Sequence, residues 1–220
     1  MGIKLSDADL GQYVKLYLDE KRNILDKFPI QDVLKAVNMV FEVYDNGKTI
    51  YAMANGGNAG TVDHLYCDFK HHPFVSEDKT KMLANVKRLR FVNLCSSSSE
   101  LTGLVNDLGG EMMFAGALAP EVEAGDLVMG FSGSGNSPNI IRAFEVAKQK
   151  GAKTLAITRG DGGKSKSADL CIIIPGDSKF PGQTGKNNNN FHFEDAVLYI
   201  NSIIIGLLKE KVNREANAAS

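Results

Sequence analysis

The chain has 220 residues, 43% of them hydrophobic and 23% charged, and a formal net charge of -1; it is long enough to bury a sizeable core, and no proline-, glycine- or serine-rich linker divides it, so a single domain is expected over 1–220. Both signs of charge are spread along it, which gives no basic footprint for nucleic acid or for an anionic membrane surface. With no run of about 18 uncharged apolar residues and no leader-like start, neither a membrane span nor secretion is expected, and the default address is the cytoplasm.

A helical lead-in occupies about 8–46: Leu10, Val14, Tyr17, Leu18, Leu25 and Phe28 recur at helical spacing, and a second pattern opens at Pro29 with Val33, Val37, Val40 and Phe41 before "DNG" stops it. An α/β core follows over about 48–175. "KTIYAMANGGN" is a strand running into a glycine turn, and 58–72 is the helix beyond it. "RLRFVNL" and "DLVMGF" are two further strands, separated by a helical stretch around 101–121, and "GAKTLAITRG" and "ADLCIIIP" are the fourth and fifth. The polar, glycine-rich segment 176–191 is expected to be a mobile loop, and Phe193, Val197, Ile200, Ile204, Leu207 and Leu208 line one face of a last helix over about 193–213. Strands alternating with helices predict a doubly wound α/β fold, a mostly parallel five-stranded sheet of flavodoxin-like architecture with two leading helices. Cys67, Cys95 and Cys171 are odd in number and far apart, so reduced thiols are expected rather than a disulfide.

Ligands of open α/β sheets bind where strands end, which singles out the loops "NGGN", "SSSS" and "SGSGNS". In the last of these, Ser137 stands at a helix N-cap and Pro138 at the first helical position. Helix-end N–H groups, the hydroxyls of Ser132, Ser134 and Ser137, and close backbone approach at Gly133 and Gly135 together make a phosphate nest without a lysine. The same residues also make an ordinary tight turn.

The stretch "GFSGSGNSPNIIRAFEVAKQKGAKTLAITRGDGGKSKSADLCIIIP" resembles the core of the sugar isomerase (SIS) domain family, and "ANGGNAGTVDHLYCDF" and "ELTGLVND" resemble its phosphoheptose isomerase branch. The resemblance spans about 10–210. It implies a phosphosugar isomerase that converts a ketose phosphate to an aldose phosphate, of the sedoheptulose 7-phosphate type, working as a homotetramer. The alternative is a non-catalytic member that binds a sugar phosphate or a protein.

By the same resemblance, Asn55, Gly56, Gly57 and Asn58, the turn Ser97, Ser98 and Ser99, Asp107, and Ser132, Ser134 and Ser137 hold the substrate and its phosphate. His64 stands at the family's histidine and Asp68 at its catalytic glutamate, four apart on one helical face. The family's glutamine and histidine of the last helix fall on Glu194 and Ser202, so the catalytic set is Asp68, His64 and Glu194, with a serine where an imidazole is usual. Zinc is the candidate cofactor, with His64, Asp68, His192 and Glu194 as its nitrogen and oxygen ligands. His72 falls where the family carries a substrate-contacting arginine. Read without the resemblance, His64 is a helix residue bonded to a neighbouring carbonyl and Asp68 a solvated carboxylate.

Overall fold

The computed structural model describes residues 5–218. Its centre is a sheet of β1 (Thr49–Ala54), β2 (Arg90–Asn93), β3 (Leu127–Phe131), β4 (Lys153–Arg159) and β5 (Leu170–Ile174). All neighbours pair in parallel, in the order β2-β1-β3-β4-β5. This is the expected doubly wound order, and its switch point lies between β1 and β3, where the chain reverses its direction of travel across the sheet. Every residue of β3 is buried, which is why "LVMGF" is apolar throughout instead of alternating.

Helices α1 (Asp7–Asp26), α2 (Ile30–Asp45), α3 (Gly57–His71), α4 (Ser98–Leu108), α5 (Met113–Leu118), α6 (Pro138–Gln149) and α7 (Asn190–Ala218) cover the sheet. Val33, Val40, Leu65, Phe69, Val197 and Ile204 from α2, α3 and α7 build the core on one face. Phe114, Leu118, Ile140 and Phe144 from α5 and α6 build it on the other. The helical stretch expected around 101–121 is divided into α4 and α5 at Gly109, whose φ of +88° interrupts any helix. A window of α7 is apolar and long enough by composition to cross a membrane, with mean hydropathy 1.4, yet half of that window is buried. Phe193, Ile200 and Leu208 of α7 are fully buried in the sheet-facing core, which marks it as the core helix of this domain.

Residues 73–89, which carry no helical or strand period, form a turn at His72–Phe74 and an antiparallel bridge between Val75 and Met82. Arg88 ties this segment down, donating to the carbonyls of Phe74 and Leu83. The three cysteines are free.

The segment 176–191, expected to be mobile, is instead strapped against α1. Glu20 accepts from Ser178 Oγ at 2.7 Å and from the Lys179 N–H at 2.6 Å. His192 Nε2 lies 3.1 Å from the same carboxylate, its ring stacked on Tyr17 with centroids 4.2 Å apart. Burial by itself would raise the Glu20 pKa, but the donors from Lys179, Ser178 and His192 outweigh it and hold the carboxyl below its ordinary value of 4.5. A depressed folded value means that this network stabilises fully above the unfolded value and fades as pH falls through the folded one. Glu20→Gln is expected to cost about 1–3 kcal/mol at neutral pH and to flatten the loss of stability below about pH 4.5. Thermal melts of both proteins across that range check it, and parallel curves would refute the role given to the carboxylate.

Candidate active site

The loops that follow β1, β2 and β3 emerge at the same edge of the sheet, and two of them flank the switch point. Gly56, at φ +58°, turns the chain from β1 into α3. The side-chain amides of Asn55 and Asn139 interlock at 2.8 and 3.1 Å, joining the "NGGN" turn to the start of α6. Asn58 is buried, and its Oδ1 has no hydrogen-bond partner among the described residues.

In the serine loop, Ser137 occupies the N-cap position and Pro138 follows it, as expected. Its hydroxyl does not cap the helix. It meets Ser132 Oγ at 2.8 Å across the mouth of the loop, so the positive end of the α6 dipole has no serine cap, although Asn139 Oδ1 accepts from the Ile140 N–H at 3.0 Å. Ser134 Oγ accepts from the Asn136 N–H at 3.2 Å. Below the loop, the Gly135 carbonyl accepts from the Ser165 N–H at 2.8 Å and from Ser165 Oγ at 3.0 Å, which fixes the loop to the turn after β4.

Three residues that the sequence did not single out complete this end of the site: Asn139, Arg159 and Asn190. A Cβ on Gly133 would lie 2.7 Å from Asn190 Oδ1 and 3.3 Å from Arg159 Nε, so both side chains rest against the serine loop. Asn190 Nδ2 donates to Glu194 Oε1 at 2.8 Å. The same Glu194 oxygen lies 3.9 Å from a Cβ placed on Gly57. These contacts place Gly57, Glu194 and the serine loop at Gly133 side by side, with Asn55 tied to the start of α6 next to Ser137. Arg159 was open to recognition as a charged residue at the exit of a strand next to β3, whereas Asn190 was hidden in an asparagine run.

The other candidates lie elsewhere on the chain. His64 and Asp68 do pair, Nε2 to Oδ2 at 3.1 Å, with side chains 55% and 36% exposed. They do not sit at the "NGGN" turn where α3 starts, because His64 is two turns beyond Gly57, about 10 Å along α3. Asp68 opens instead onto a cleft of about 450 Å³ between α3 and α7, shared with Cys67, His72 and Lys209. Ser202, in the place of an imidazole, donates its hydroxyl to the Leu198 carbonyl at 3.0 Å. Ser97 caps α4 by accepting from the Glu100 N–H at 3.3 Å, with Ser98 and Ser99 in the first turn. Asp107 stands at the far end of α4, about 15 Å from that cap, exposed and bonded to Asn106, so it is not among the phosphate loops.

The zinc set is not assembled in this chain. Residues two positions apart on a helix point about 200° apart, so His192 and Glu194 cannot face one site. His192 is 2% exposed and engaged by Glu20, whereas Glu194 faces the "NGGN" turn. Among the described residues no three His, Cys, Asp or Glu side chains converge as metal ligands. His64 and Asp68 remain as two adjacent donors.

Comparison with known proteins identifies the family. The SIS domain model matches residues 16–159. The phosphoheptose isomerase of Citrifermentans bemidjiense is 36% identical over 141 residues, 64% of this chain and 69% of that protein. That of Aneurinibacillus thermoaerophilus is 28% identical over 211 residues, 93% of this chain and 96% of its own. In structure, the phosphoheptose isomerase of Neisseria gonorrhoeae superposes with a TM-score of 0.74 at 20% identity, covering 91% of this chain and 99% of that one, a likeness of fold. The chain belongs to the SIS domain family and, within it, to the phosphoheptose isomerase branch.

Proposed function

We propose that the chain is a phosphosugar isomerase that interconverts a ketose phosphate and an aldose phosphate, with sedoheptulose 7-phosphate or a close relative as substrate. The observation that carries this reading is the separation of two functional groupings. The serine loop, read as the phosphate nest, lies at the strand exits, and the histidine–carboxylate pair begins about 10 Å along α3 from Gly57. In a heptulose 7-phosphate the reacting carbons lie at the opposite end of the molecule from the phosphate, so binding and chemistry should be divided in this way.

Isomerisation moves one proton between neighbouring carbons. Asp68 takes it from the carbon next to the carbonyl, giving an enediolate, and returns it to the former carbonyl carbon. His64, 3.1 Å from Asp68, supplies and removes the protons on the two oxygens. Glu194, held by Asn190, accepts from sugar hydroxyls beside the "NGGN" turn. The pair is open to solvent, and such chemistry gains from the exclusion of water, which a second copy of the chain would supply. Leu10, Val14 and Leu18 of α1 and Leu198, Ile203 and Leu207 of α7 are exposed apolar side chains that support self-association, and we take the working form to be a cytoplasmic homotetramer of the 23.8 kDa chain. Light scattering reads the copy number directly.

The test is deuterium incorporation at the carbon next to the carbonyl of sedoheptulose 7-phosphate in heavy water, followed by NMR, with appearance of the aldose phosphate. Incorporation is expected. The Ser202 hydroxyl, turned back onto α7, favours a second reading, a sugar-phosphate-binding member without catalysis. Binding without any exchange across a panel of ketose phosphates would establish that reading instead.

A further inference from the structure

We propose that Arg159 is a phosphate-binding residue of this site, its guanidinium closing the serine loop around the substrate's phosphate monoester; the inference rests on the phosphosugar reading above. Arg159 is the last residue of β4, directly beside the strand that delivers the serine loop. Its Nε lies 3.3 Å from where a Cβ on Gly133 would stand, against the backbone between Ser132 and Ser134. That Nε is buried and has no hydrogen-bond partner among the described residues. The guanidinium's one hydrogen bond to the described residues runs from Nη2 to the Lys186 carbonyl at 2.9 Å. A guanidinium carries five N–H donors in a rigid fork, so most of this one is unused.

The guanidinium is only partly buried, but its Nε is a buried donor without a partner, which is costly and is relieved by an acceptor that arrives with the ligand. Burial pushes the Arg159 pKa down, and the charge on Glu194 pulls it back up. Glu194 does not satisfy it directly: among the described residues no hydrogen bond joins the two side chains, and the carboxylate is engaged by Asn190. The acceptor must therefore sit on the serine-loop side, where the helix end and the hydroxyls of Ser132, Ser134 and Ser137 already favour an anion. The loop itself contributes dipoles and hydroxyls but no full positive charge, and a dianionic phosphate monoester held there would gain a charge-assisted fork from Arg159. Within one chain His72 does not reach the serine loop, since it stands beyond the far end of α3.

Inorganic phosphate is the probe, titrated by calorimetry into the full chain and into Arg159→Gln, Arg159→Lys, Ser134→Ala and, as a control for lost charge, Arg142→Gln on the exposed side of α6. The expected result is that Arg159→Gln weakens phosphate binding by about tenfold to a hundredfold and flattens its dependence on salt, with Arg142→Gln unchanged. Arg159→Lys should restore part of the loss, because it keeps the charge and loses the fork. Melting without and with phosphate separates this from a structural role. A binding residue removes the phosphate-induced rise in Tm while the ligand-free Tm stays nearly in place, whereas equal losses in both would overturn the proposal. Should Arg159→Gln not fold, Arg159→Lys carries the same comparison. Wild-type affinity in Arg159→Gln alongside weakened binding in Ser134→Ala overturns the inference and leaves the phosphosugar reading intact. Failure of the wild-type protein to bind phosphate or sedoheptulose 7-phosphate overturns both.

Discussion

Asp68→Asn is expected to lower deuterium incorporation into the ketose phosphate by about 100- to 10,000-fold, the range over which a positioned general base contributes. The amide keeps the size of the carboxylate and can still hydrogen-bond to His64, but it cannot accept a proton from carbon. Because the pair is largely exposed, with side chains 55% and 36% accessible, the substitution should change stability by about 1 kcal/mol at most. A large loss of rate with an unchanged melting curve and unchanged phosphate affinity would thus assign the proton transfer to Asp68. The companion variant Asp68→Glu restores the residue usual in the family and reaches about 1 Å further. If the helix already brings the shorter acid to the reacting carbon, the longer one misplaces it and slows the reaction, and a faster enzyme would mean that Asp68 is the handicapped form. Full exchange in Asp68→Asn would remove the base from α3 and direct attention to Glu194.

What the sequence disclosed and what it hid follow from the kind of signal each residue leaves. The strands at "TIYAMA" and "LVMGF" are apolar runs ending in glycine turns, and those turns mark the crevice because a parallel sheet puts all its strand exits on one side. Ser137 and Pro138 announced the start of α6 correctly, but not that the serine hydroxyl would bond to Ser132, since capping position and hydroxyl direction are separate choices. His192 and Glu194 were expected to share a zinc site, yet helical rotation drives them to opposite sides, one to Glu20 on α1 and the other to the "NGGN" turn. The strap over 176–191 was illegible because polar, glycine-rich composition describes a mobile loop and a pinned one equally well. Its order comes from Glu20, a residue more than 150 positions away in sequence. Asn190 and Arg159 were missed for a related reason: their importance lies in what they touch, Gly133, and no local pattern encodes that contact.

Gly135→Ala is expected to disable the proposed phosphate nest more thoroughly than removal of any one serine. Gly135 has φ +65°, and an added Cβ would lie 2.2 Å from the Gly162 carbonyl oxygen and 2.6 Å from its carbon. Both atoms are backbone, so no rotamer change can relieve the clash, and the left-handed conformation adds roughly 1–2 kcal/mol of strain for any L side chain. The loop must move away from the turn after β4, which breaks the two bonds from Ser165 to the Gly135 carbonyl. Strain and lost bonds together should cost about 2–4 kcal/mol and lower Tm by about 5–10 °C for a chain of this size. Ser132, Ser134 and Ser137 move with the loop, so phosphate affinity should fall by at least about a hundredfold. Gly133→Ala is the informative partner, because the nearest atoms to its Cβ are Asn190 Oδ1 and Arg159 Nε, both at the ends of side chains that can swing aside. It should leave Tm nearly unchanged and still weaken phosphate binding by displacing Arg159. Melting and phosphate titration of the two variants therefore separate the scaffold of the nest from its contacts. Wild-type values for Gly135→Ala in both measurements would mean that the serine loop is not held by the turn at Gly162.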